Sequence, residues 1–194
     1  KKRLSKQFIM QGYFQSNRWY NNFFIKTSSE IYTADLIKKL KKVKTHDIVI
    51  SLRRTDYLKL GMALKTSYYL KSLKKLKVTN KEKIKIISDD SKYAKKLAKL
   101  LKKQGYEIDN DRKYYKSKSL NDFLILIKSK KLIMSNSSFC WWAAIVRDNL
   151  KFLTKNVACP RYWYPSNKNI LKSIPSNHPG NPLRWQLVSS DFML

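Results

Sequence analysis

The positions of the prolines constrain the fold of this chain more than any other single feature. All five prolines of the 194-residue sequence follow Cys159, at positions 160, 165, 175, 179 and 182. Proline interrupts helix interiors and cannot donate a hydrogen bond within a central strand, so residues 1–159 are free to form unbroken helices and strands. The sequence therefore predicts a regular folded unit that ends near Cys159, followed by a looped or extended tail.

Short apolar runs alternate with amphipathic segments before the prolines. The runs predict strands at 47–52, 83–88 and 131–134, and a last strand from 151–154 and 156–158. The amphipathic segments predict helices at 66–76, 91–103, 120–128 and 138–147, with Gly105 as the C-terminal cap of the second. This alternation is typical of the α/β class, with a parallel sheet covered on both faces. Such sheets bind ligands at the carboxyl ends of their strands.

The basic charge of the chain has two interpretations. The formal net charge at pH 7 is +29, and 34 of the 42 basic residues are lysines spread along the sequence. One interpretation is a solvated lysine surface without a specific partner, and the other is contact with a polyanion or an anionic membrane. The apolar content of 43%, with 13% aromatic residues, indicates a folded globular protein under either interpretation.

Cysteine and histidine are too sparse to indicate a disulfide framework or a zinc site. Cys140 and Cys159 lack metal-ligand spacing, and His46 and His178 lie far apart in the sequence. Reduced thiols fit a cytoplasmic protein. No apolar run reaches the roughly 20 residues of a membrane-spanning helix, and Lys1 is not followed by the apolar region of a signal peptide. We expect a cytoplasmic protein whose lysines allow peripheral contact with the inner face of a membrane.

Polar residues follow the first predicted strand, where such a sheet binds its ligands. Arg53 and Arg54 stand side by side, with Asp56 close behind, in a chain that contains 34 lysines and only eight arginines. Guanidinium groups bind phosphate oxygens in a bidentate manner, and they also form simple exposed ion pairs with aspartate. The arginine pair therefore indicates an anion site, with an exposed ion pair as the alternative.

Two more polar segments follow the next two predicted strands. Asp89 and Asp90 either cap the helix after them or accept hydrogen bonds from a nucleobase or ribose. The serine-rich corner 135–138 either caps its helix or binds an anion with the free N–H groups of the first turn. Arginines, carboxylates and a serine-capped helix together indicate a nucleoside diphosphate site. The absence of the dinucleotide-binding and P-loop glycine patterns argues against an NAD enzyme or a P-loop NTPase.

Three strings of residues, in this order and spacing, resemble glycosyltransferase family 11, the α-1,2-fucosyltransferases. They are Arg53-Arg54-x-Asp56-Tyr57, Ser88-Asp89-Asp90 and Asn136-Ser137-Ser138-Phe139-x-Trp141-Trp142-Ala143-Ala144. The segments Gly12-Tyr13-Phe14-Gln15-Ser16 and Pro160-x-x-Trp163-Tyr164 are similar to the same family. The resemblance extends from about Gly12 to Trp185, and the string with the paired tryptophans is its most specific part.

The resemblance implies a Rossmann-like parallel sheet that forms the donor-binding domain of a GT-B-like glycosyltransferase. It implies metal-independent, inverting transfer of L-fucose from GDP-fucose to the 2-hydroxyl of a terminal galactoside, without a cofactor. Arg53 and Arg54 would then bind the donor diphosphate, with Arg54 the more important for catalysis. Asp89 or Asp90 would bind guanine, and the donor pocket would be lined by Ser137, Ser138 and Phe139.

An inverting transfer needs a general base for the acceptor hydroxyl, and we nominate Asp56 for this role. An ion pair that orients Arg53 is the alternative role for Asp56. The family usually has a histidine two residues before the arginine pair, whereas this chain has Ser51 at that position. An inactive glycosyltransferase-like scaffold domain is therefore an alternative function.

The predicted domains follow from the same resemblance. Residues 1–44 form the end of an acceptor domain and a connecting segment, residues 45–159 the Rossmann-like nucleotide-sugar-binding domain, and residues 160–194 the proline-containing tail. Family members usually begin with a glycine-rich strand and turn, so we expect further sequence upstream of Lys1. The predicted partners are GDP-fucose and a galactoside acceptor glycan, with no specific nucleic acid. A basic nucleic-acid-binding module is the alternative of a different class.

Overall fold

Strands and helices alternate along the described part of the chain, which comprises residues 31–109, 118–150, 156–163, 165 and 185–193 of a computed structural model. The strands are β1 (Ile48–Leu52), β2 (Lys83–Ser88), β3 (Glu107–Ile108), β4 (Lys131–Ile133), β5 (Val157–Pro160) and β6 (Gln186–Val188). The helices are α1 (Ile31–Lys42), α2 (Thr55–Lys59), α3 (Thr66–Lys75), α4 (Ser91–Lys103), α5 (Lys118–Lys128) and α6 (Ser138–Asn149). The predictions for 12–16, 151–154 and most of the tail lie outside the described residues.

The described strands form one sheet in the order β3-β2-β1-β4-β5-β6, and every neighbouring pair is parallel. β1 lies at the centre, where Ile48 is opposite Ile84 of β2 and Ile50 is opposite Ile133 of β4. The predicted α/β class with a Rossmann-like parallel sheet is therefore confirmed. Because β1, β2 and β4 are neighbours and point the same way, the residues that follow them meet at one edge of the sheet.

Two apolar cores cover the two faces of the sheet. Alternate residues of β1 point to opposite faces, so Val49 packs into one core and Ile48 and Ile50 pack into the other. The first core contains residues from α1, α5 and α6, among them Leu40, Leu124 and Trp141. The second core contains residues from α3 and α4, among them Tyr68, Leu73 and Leu97. Helices α1, α3, α4, α5 and α6 thereby pack against the sheet, whereas α2 has no buried residue.

Most predicted elements occur in the structure with shifts of at most three residues at their ends. Gly105 follows α4 with a φ of 86°, and the N–H of Tyr106 donates to the carbonyl of Leu101, so the predicted glycine cap is confirmed. The elements α1, α2, β3 and β6 were not predicted. Helix α1, from the predicted segment 1–44, packs Leu40 into the first core. Strand β6, from the predicted tail, pairs with β5 and extends the sheet.

Candidate functional site

A cleft of about 630 Å³ opens at the carboxyl ends of β1 and β2 and at the amino end of α6. Its walls also include the short helix α2 and the first turns of α5. The lining residues are Ser51, Leu52, Arg53, Asp56, Tyr57, Leu60, Met62, Ile87, Ser88, Asp89, Lys118, Ser119, Asp122, Ser137, Ser138, Phe139 and Trp163. The three polar segments that follow the predicted strands thus meet in one cleft.

Arg53 presents a cationic group to this cleft. Its side chain is 41% exposed and lies between two carboxylates, with Nη2 at 2.8 Å from Asp56 and Nη1 at 3.2 Å from Asp89. The guanidinium also lies 5.7 Å from the centroid of the Tyr57 ring. Because both carboxylates contact one arginine and leave part of it exposed, the guanidinium is held in place while remaining accessible to an anionic ligand.

Arg54 occupies a different environment and is not among the residues that line the cleft. Its side chain is only 4% exposed, and the guanidinium carbon lies 3.4 Å from the centroid of the Tyr93 ring. Both terminal nitrogens contact the sulfur of Met193, and Nε lies 3.5 Å from Asp90. The predicted contact of Arg54 with a diphosphate therefore has no direct geometric support, and its catalytic role stays a prediction.

Asp89 fastens the loop after β1 to the loop after β2. One carboxylate oxygen accepts hydrogen bonds from the N–H and the hydroxyl of Thr55, and the other accepts from the N–H of Arg54. The first oxygen also contacts Arg53. Both oxygens are therefore engaged within the protein, which satisfies the free N–H groups at the start of α2. The prediction that Asp89 binds guanine stays open, but the carboxylate has little remaining capacity for a ligand.

Asp90 is the N-terminal cap of α4. Its Oδ1 accepts a hydrogen bond of 2.9 Å from the N–H of Tyr93, and its other oxygen faces the buried guanidinium of Arg54. Asp90 is not among the residues that line the cleft. The structure therefore shows that Asp90 has the predicted role of a helix cap. The contact of Asp90 with guanine stays a prediction.

The serine-rich corner before α6 forms a chain of hydroxyl groups. Ser51 Oγ lies 3.1 Å from Ser135 Oγ, which lies 3.0 Å from Ser137 Oγ. Ser137 also accepts a hydrogen bond from the N–H of Cys140, so it caps α6. Ser51 and Ser137 line the cleft, and Ser51 is at the position where the resemblance led us to expect a histidine. The corner therefore provides the predicted helix cap, and the binding of an anion by the N–H groups of this turn stays a prediction.

Asn136 fixes the position of this corner without entering the cleft. Its amide nitrogen donates to the carbonyl of Met62 at 3.0 Å and to that of Trp163 at 2.8 Å. The hydroxyl of Tyr57 donates to the carbonyl of Asn136 at 3.1 Å. These contacts join α2 and the loop after it, the corner, and the segment after β5 through groups that are buried or partly buried, so these parts of the cleft wall are held together.

The aromatic residues of α6 divide between the cleft and the core. The ring of Phe139 is 42% exposed, lines the cleft and packs against Phe123 with 5.3 Å between ring centroids. Trp141 is fully buried and contacts Trp142 edge to face at 4.8 Å. The tryptophans thus hold the helix against the sheet, and Phe139 is the aromatic residue of the string that lines the cleft, together with Ser137 and Ser138.

Eleven of the seventeen lining residues were not among the predicted site residues, and four of these lie outside β1, β2 and the segments that follow them, namely Lys118, Ser119, Asp122 and Trp163. Three of them belong to the first turns of α5, whose start lies at the carboxyl edge of the sheet. Burial raises the pKa of the Asp122 carboxyl above its ordinary value, against the opposing charges of Lys118 and Lys85. The sequence signal for Asp122 was weak, since one aspartate at the start of an apolar helix also suits helix capping.

The fold and the cleft define an α/β protein with a Rossmann-like parallel sheet, whose cleft is lined by an arginine and by the start of a serine-capped helix. The sequence matches the model of glycosyl transferase family 11 over residues 3–166, so the chain belongs to this family. The recognition made from the sequence strings is thereby confirmed, and the protein is a glycosyltransferase of the fucosyltransferase class. The search of curated proteins gave no match.

Within residues 31–109, 118–150, 156–163 and 185–193, no helix has the length and apolarity needed to cross a bilayer.

Proposed function

We propose that this chain binds GDP-fucose and transfers L-fucose to the 2-hydroxyl of a terminal galactoside, with inversion at the anomeric carbon. The observation that carries the proposal is the meeting of Arg53 with Ser137 and Ser138 in one cleft at the carboxyl edge of the sheet. Family membership supplies the reaction class, and this juxtaposition of a cation with a helix amino end suits a diphosphate.

Arg53, Ser137 and Ser138 would bind the diphosphate of the donor. The acceptor oxygen attacks the anomeric carbon of fucose, the bond from that carbon to the β-phosphate oxygen breaks, and GDP leaves with the electron pair. Negative charge grows on the diphosphate during this step, so a fixed guanidinium and the N–H groups of α6 favour the transition state. Arg54 would act beneath the cleft as a positioning residue, since it holds Asp90 and the ring of Tyr93.

We propose that Asp56 accepts the proton of the acceptor hydroxyl. The alternative is that Asp56 orients Arg53, with which it forms an ion pair. Burial raises the pKa of Asp56, but the hydrogen bond and charge of Arg53 outweigh this effect and leave the pKa below its ordinary value. A carboxylate with a lowered pKa is a weak base. Asp56→Asn separates the roles: loss of kcat at unchanged KM for the donor supports the base, and a raised KM at nearly unchanged kcat supports orientation of Arg53.

Binding of GDP-fucose to the full chain, measured by calorimetry, tests the proposal. Arg53→Ala should weaken binding about 10- to 100-fold, because it removes a charge-assisted hydrogen bond to the diphosphate. Arg161→Ala is the matched control, since Arg161 is exposed and is not among the lining residues. A folded protein that binds GDP-fucose no better than UDP-glucose, or equally well without Arg53, would contradict the proposal.

Turnover with a galactoside acceptor distinguishes an active enzyme from a scaffold domain that only binds the donor. We propose that the transfer needs no metal, with Arg53 and the start of α6 supplying the positive charge. Activity that persists in excess EDTA agrees with this proposal, and activity restored only by added Mg²⁺ or Mn²⁺ would refute it. Identification of the linkage in the product tests the α-1,2 assignment.

A lysine stripe on α4 supports the further proposal of contact with an anionic membrane. Its members are exposed, lie within about a third of the helix circumference and have no acidic neighbour on this helix; they are Lys92, Lys95, Lys96, Lys99, Lys102 and Lys103. Sedimentation with phosphatidylserine vesicles checks this contact. Replacement of four stripe lysines by glutamine should release the protein, while four replacements on α1 and α3 should not.

A further inference from the structure

The strongest unexplained group of the cleft is the carboxylate of Asp122. It lines the cleft, and no hydrogen bond or ion pair with another described residue satisfies it. Asp89, by contrast, uses both oxygens within the protein, and Asp90 caps α4 outside the cleft. A half-buried carboxylate without a partner is costly unless a ligand supplies hydrogen-bond donors.

The surroundings of Asp122 suit a flat ligand with polar edges. Its neighbour Phe123 packs on Phe139, whose half-exposed ring also lines the cleft, so an aromatic face lies close to the carboxylate. Lys118 precedes Asp122 by one helical turn and lines the same cleft without pairing with it. The carboxylate accepts hydrogen bonds only, and the ammonium donates only. Together they offer one donor and one bidentate acceptor beside a ring on which a base can stack.

We propose that Asp122, with Lys118, determines the nucleobase specificity of this cleft and selects guanine. The carboxylate accepts hydrogen bonds from N1–H and the 2-amino group of guanine, and the ammonium of Lys118 donates to O6. Adenine presents an acceptor at N1 and a donor at the 6-amino group, so it leaves the carboxylate facing a lone pair. Uracil offers one N–H group between two carbonyl oxygens. Guanine is therefore the common base whose edge places two adjacent donors beside one acceptor.

The inference rests on the proposed function, because it assigns a residue to the base of the proposed donor. It differs from the sequence prediction, which gave the guanine contact to Asp89 or Asp90. It also assigns Asp122 to binding and leaves the transfer step to other groups. Removal of the Asp122 carboxylate should therefore change the relative affinities for nucleotides with different bases and leave the contribution of the phosphates to affinity unchanged.

Calorimetry of the full chain with GDP, IDP, ADP and UDP tests the assignment. IDP lacks the 2-amino group, so the wild-type protein should prefer GDP over IDP about tenfold, the value of one hydrogen bond to a charged group. In Asp122→Asn the amide offers both a donor and an acceptor. The ratio of the affinities for GDP and IDP should therefore fall close to one, and the affinity for ADP should rise relative to that for GDP. Arg53→Ala should weaken the binding of all four nucleotides by a similar factor and leave the order of their affinities unchanged.

Asp47→Asn is the matched control, since it removes the same charge beside β1 at the opposite edge of the sheet and should leave the order of nucleotides unchanged. A GDP preference that survives in Asp122→Asn overturns the assignment and leaves the proposed function standing. Equal loss of all nucleotides in that variant, or unchanged binding with lost turnover, also overturns it. A wild-type protein that binds none of the four nucleotides overturns the assignment and the proposed function together.

Discussion

The guanidinium of Arg54 lies 3.4 Å from the centroid of the Tyr93 ring, in a site that leaves the arginine side chain only 4% exposed. Tyr93 belongs to the first turn of α4, whose cap Asp90 faces Nε of the same arginine. One buried cation thus joins the loop after β1 to the start of α4. The two consecutive arginines of the sequence therefore have different surroundings: Arg53 lines the cleft, whereas Arg54 is buried and is not among the lining residues.

Arg54→Met should destabilise the protein by about 2–4 kcal/mol, because it removes a buried cation and leaves Asp90 and the Tyr93 ring without that contact. Urea unfolding followed by circular dichroism measures the change. Arg53→Met and Arg161→Met remove more exposed arginines and should each stay within about 0.5 kcal/mol of wild type. A stability of Arg54→Met equal to that of these controls would show that the arginine does not hold the loop.

The sequence allowed the sheet and the meeting of its polar segments to be predicted, because parallel strands carry their C-terminal residues to one edge. Arg53, Asp89 and Ser137 follow three such strands and do lie in one cleft. The sequence did not predict that Arg53 is exposed and Arg54 is buried, because a loop has no periodicity that fixes the directions of its side chains. Only the packing of α4 on the sheet decides which arginine is covered.

Residues on helices were harder to assign than residues after strands. Asp122 lies on α5, and its place in the cleft depends on where α5 begins relative to β1 and β2. Arg147 resembles an ordinary basic residue in the last turn of α6, yet it is fully buried. It donates hydrogen bonds to the carbonyls of Ser129 and Lys130, which follow α5. Such contacts depend on the packing of α6 against α5, which the spacing of residues in the sequence does not specify.

Substitution of Ser51 by histidine tests whether a side chain at position 51 contacts the diphosphate. A histidine there would face the cleft and, when protonated, add a charge-assisted hydrogen bond to the diphosphate. Ser51→His should therefore bind GDP-fucose about tenfold more tightly at pH 6 than at pH 8. Wild-type binding should change little over this range, since no histidine is among the described residues that line the cleft.

GDP-fucose is the appropriate ligand for this comparison because its diphosphate is esterified at both ends and does not titrate between pH 6 and 8. The melting temperature of Ser51→His at both pH values serves as a control for the larger side chain in a buried position. Equal binding of the variant at the two pH values, in a protein that is folded at both, would show that position 51 does not contact the diphosphate.

The two cysteines should be unreactive in the folded protein. Both thiols are buried, and burial raises the pKa of Cys140 to about 11 and raises that of Cys159 further. The reactive thiolate is therefore scarce at pH 8. Ellman's reagent should detect no rapid reaction in the native state and two thiols in concentrated guanidinium chloride. Cys159→Ser should reduce the denatured count to one, and rapid native reaction of either thiol would contradict the buried placement.

The difference in stability between Asp122→Asn and wild type should depend on pH, in a direction fixed by the burial of the wild-type carboxyl group. Burial raises the pKa of Asp122, so the folded protein binds this proton more tightly than the unfolded chain does. The stability contributed by protonation is present below the ordinary carboxyl pKa and is lost as the pH rises through the raised value. At pH 7 the variant should therefore unfold at a higher urea concentration than wild type, and its advantage should shrink as the pH falls to 4.

Asp47→Asn should behave in the opposite way in the same titration. The hydrogen bond from Lys130, with one from the backbone of Lys83, lowers the pKa of Asp47. Its contribution is present above the ordinary carboxyl pKa and is lost only as the pH falls below that value, so Asp47→Asn should be less stable than wild type by a constant amount between pH 7 and 5. Urea midpoints at pH 7, 6, 5 and 4 measure both variants. A gap for Asp122→Asn that stays constant over this range, or that has the sign of the Asp47→Asn gap, would show that the carboxylate at position 122 is not held in a desolvated site.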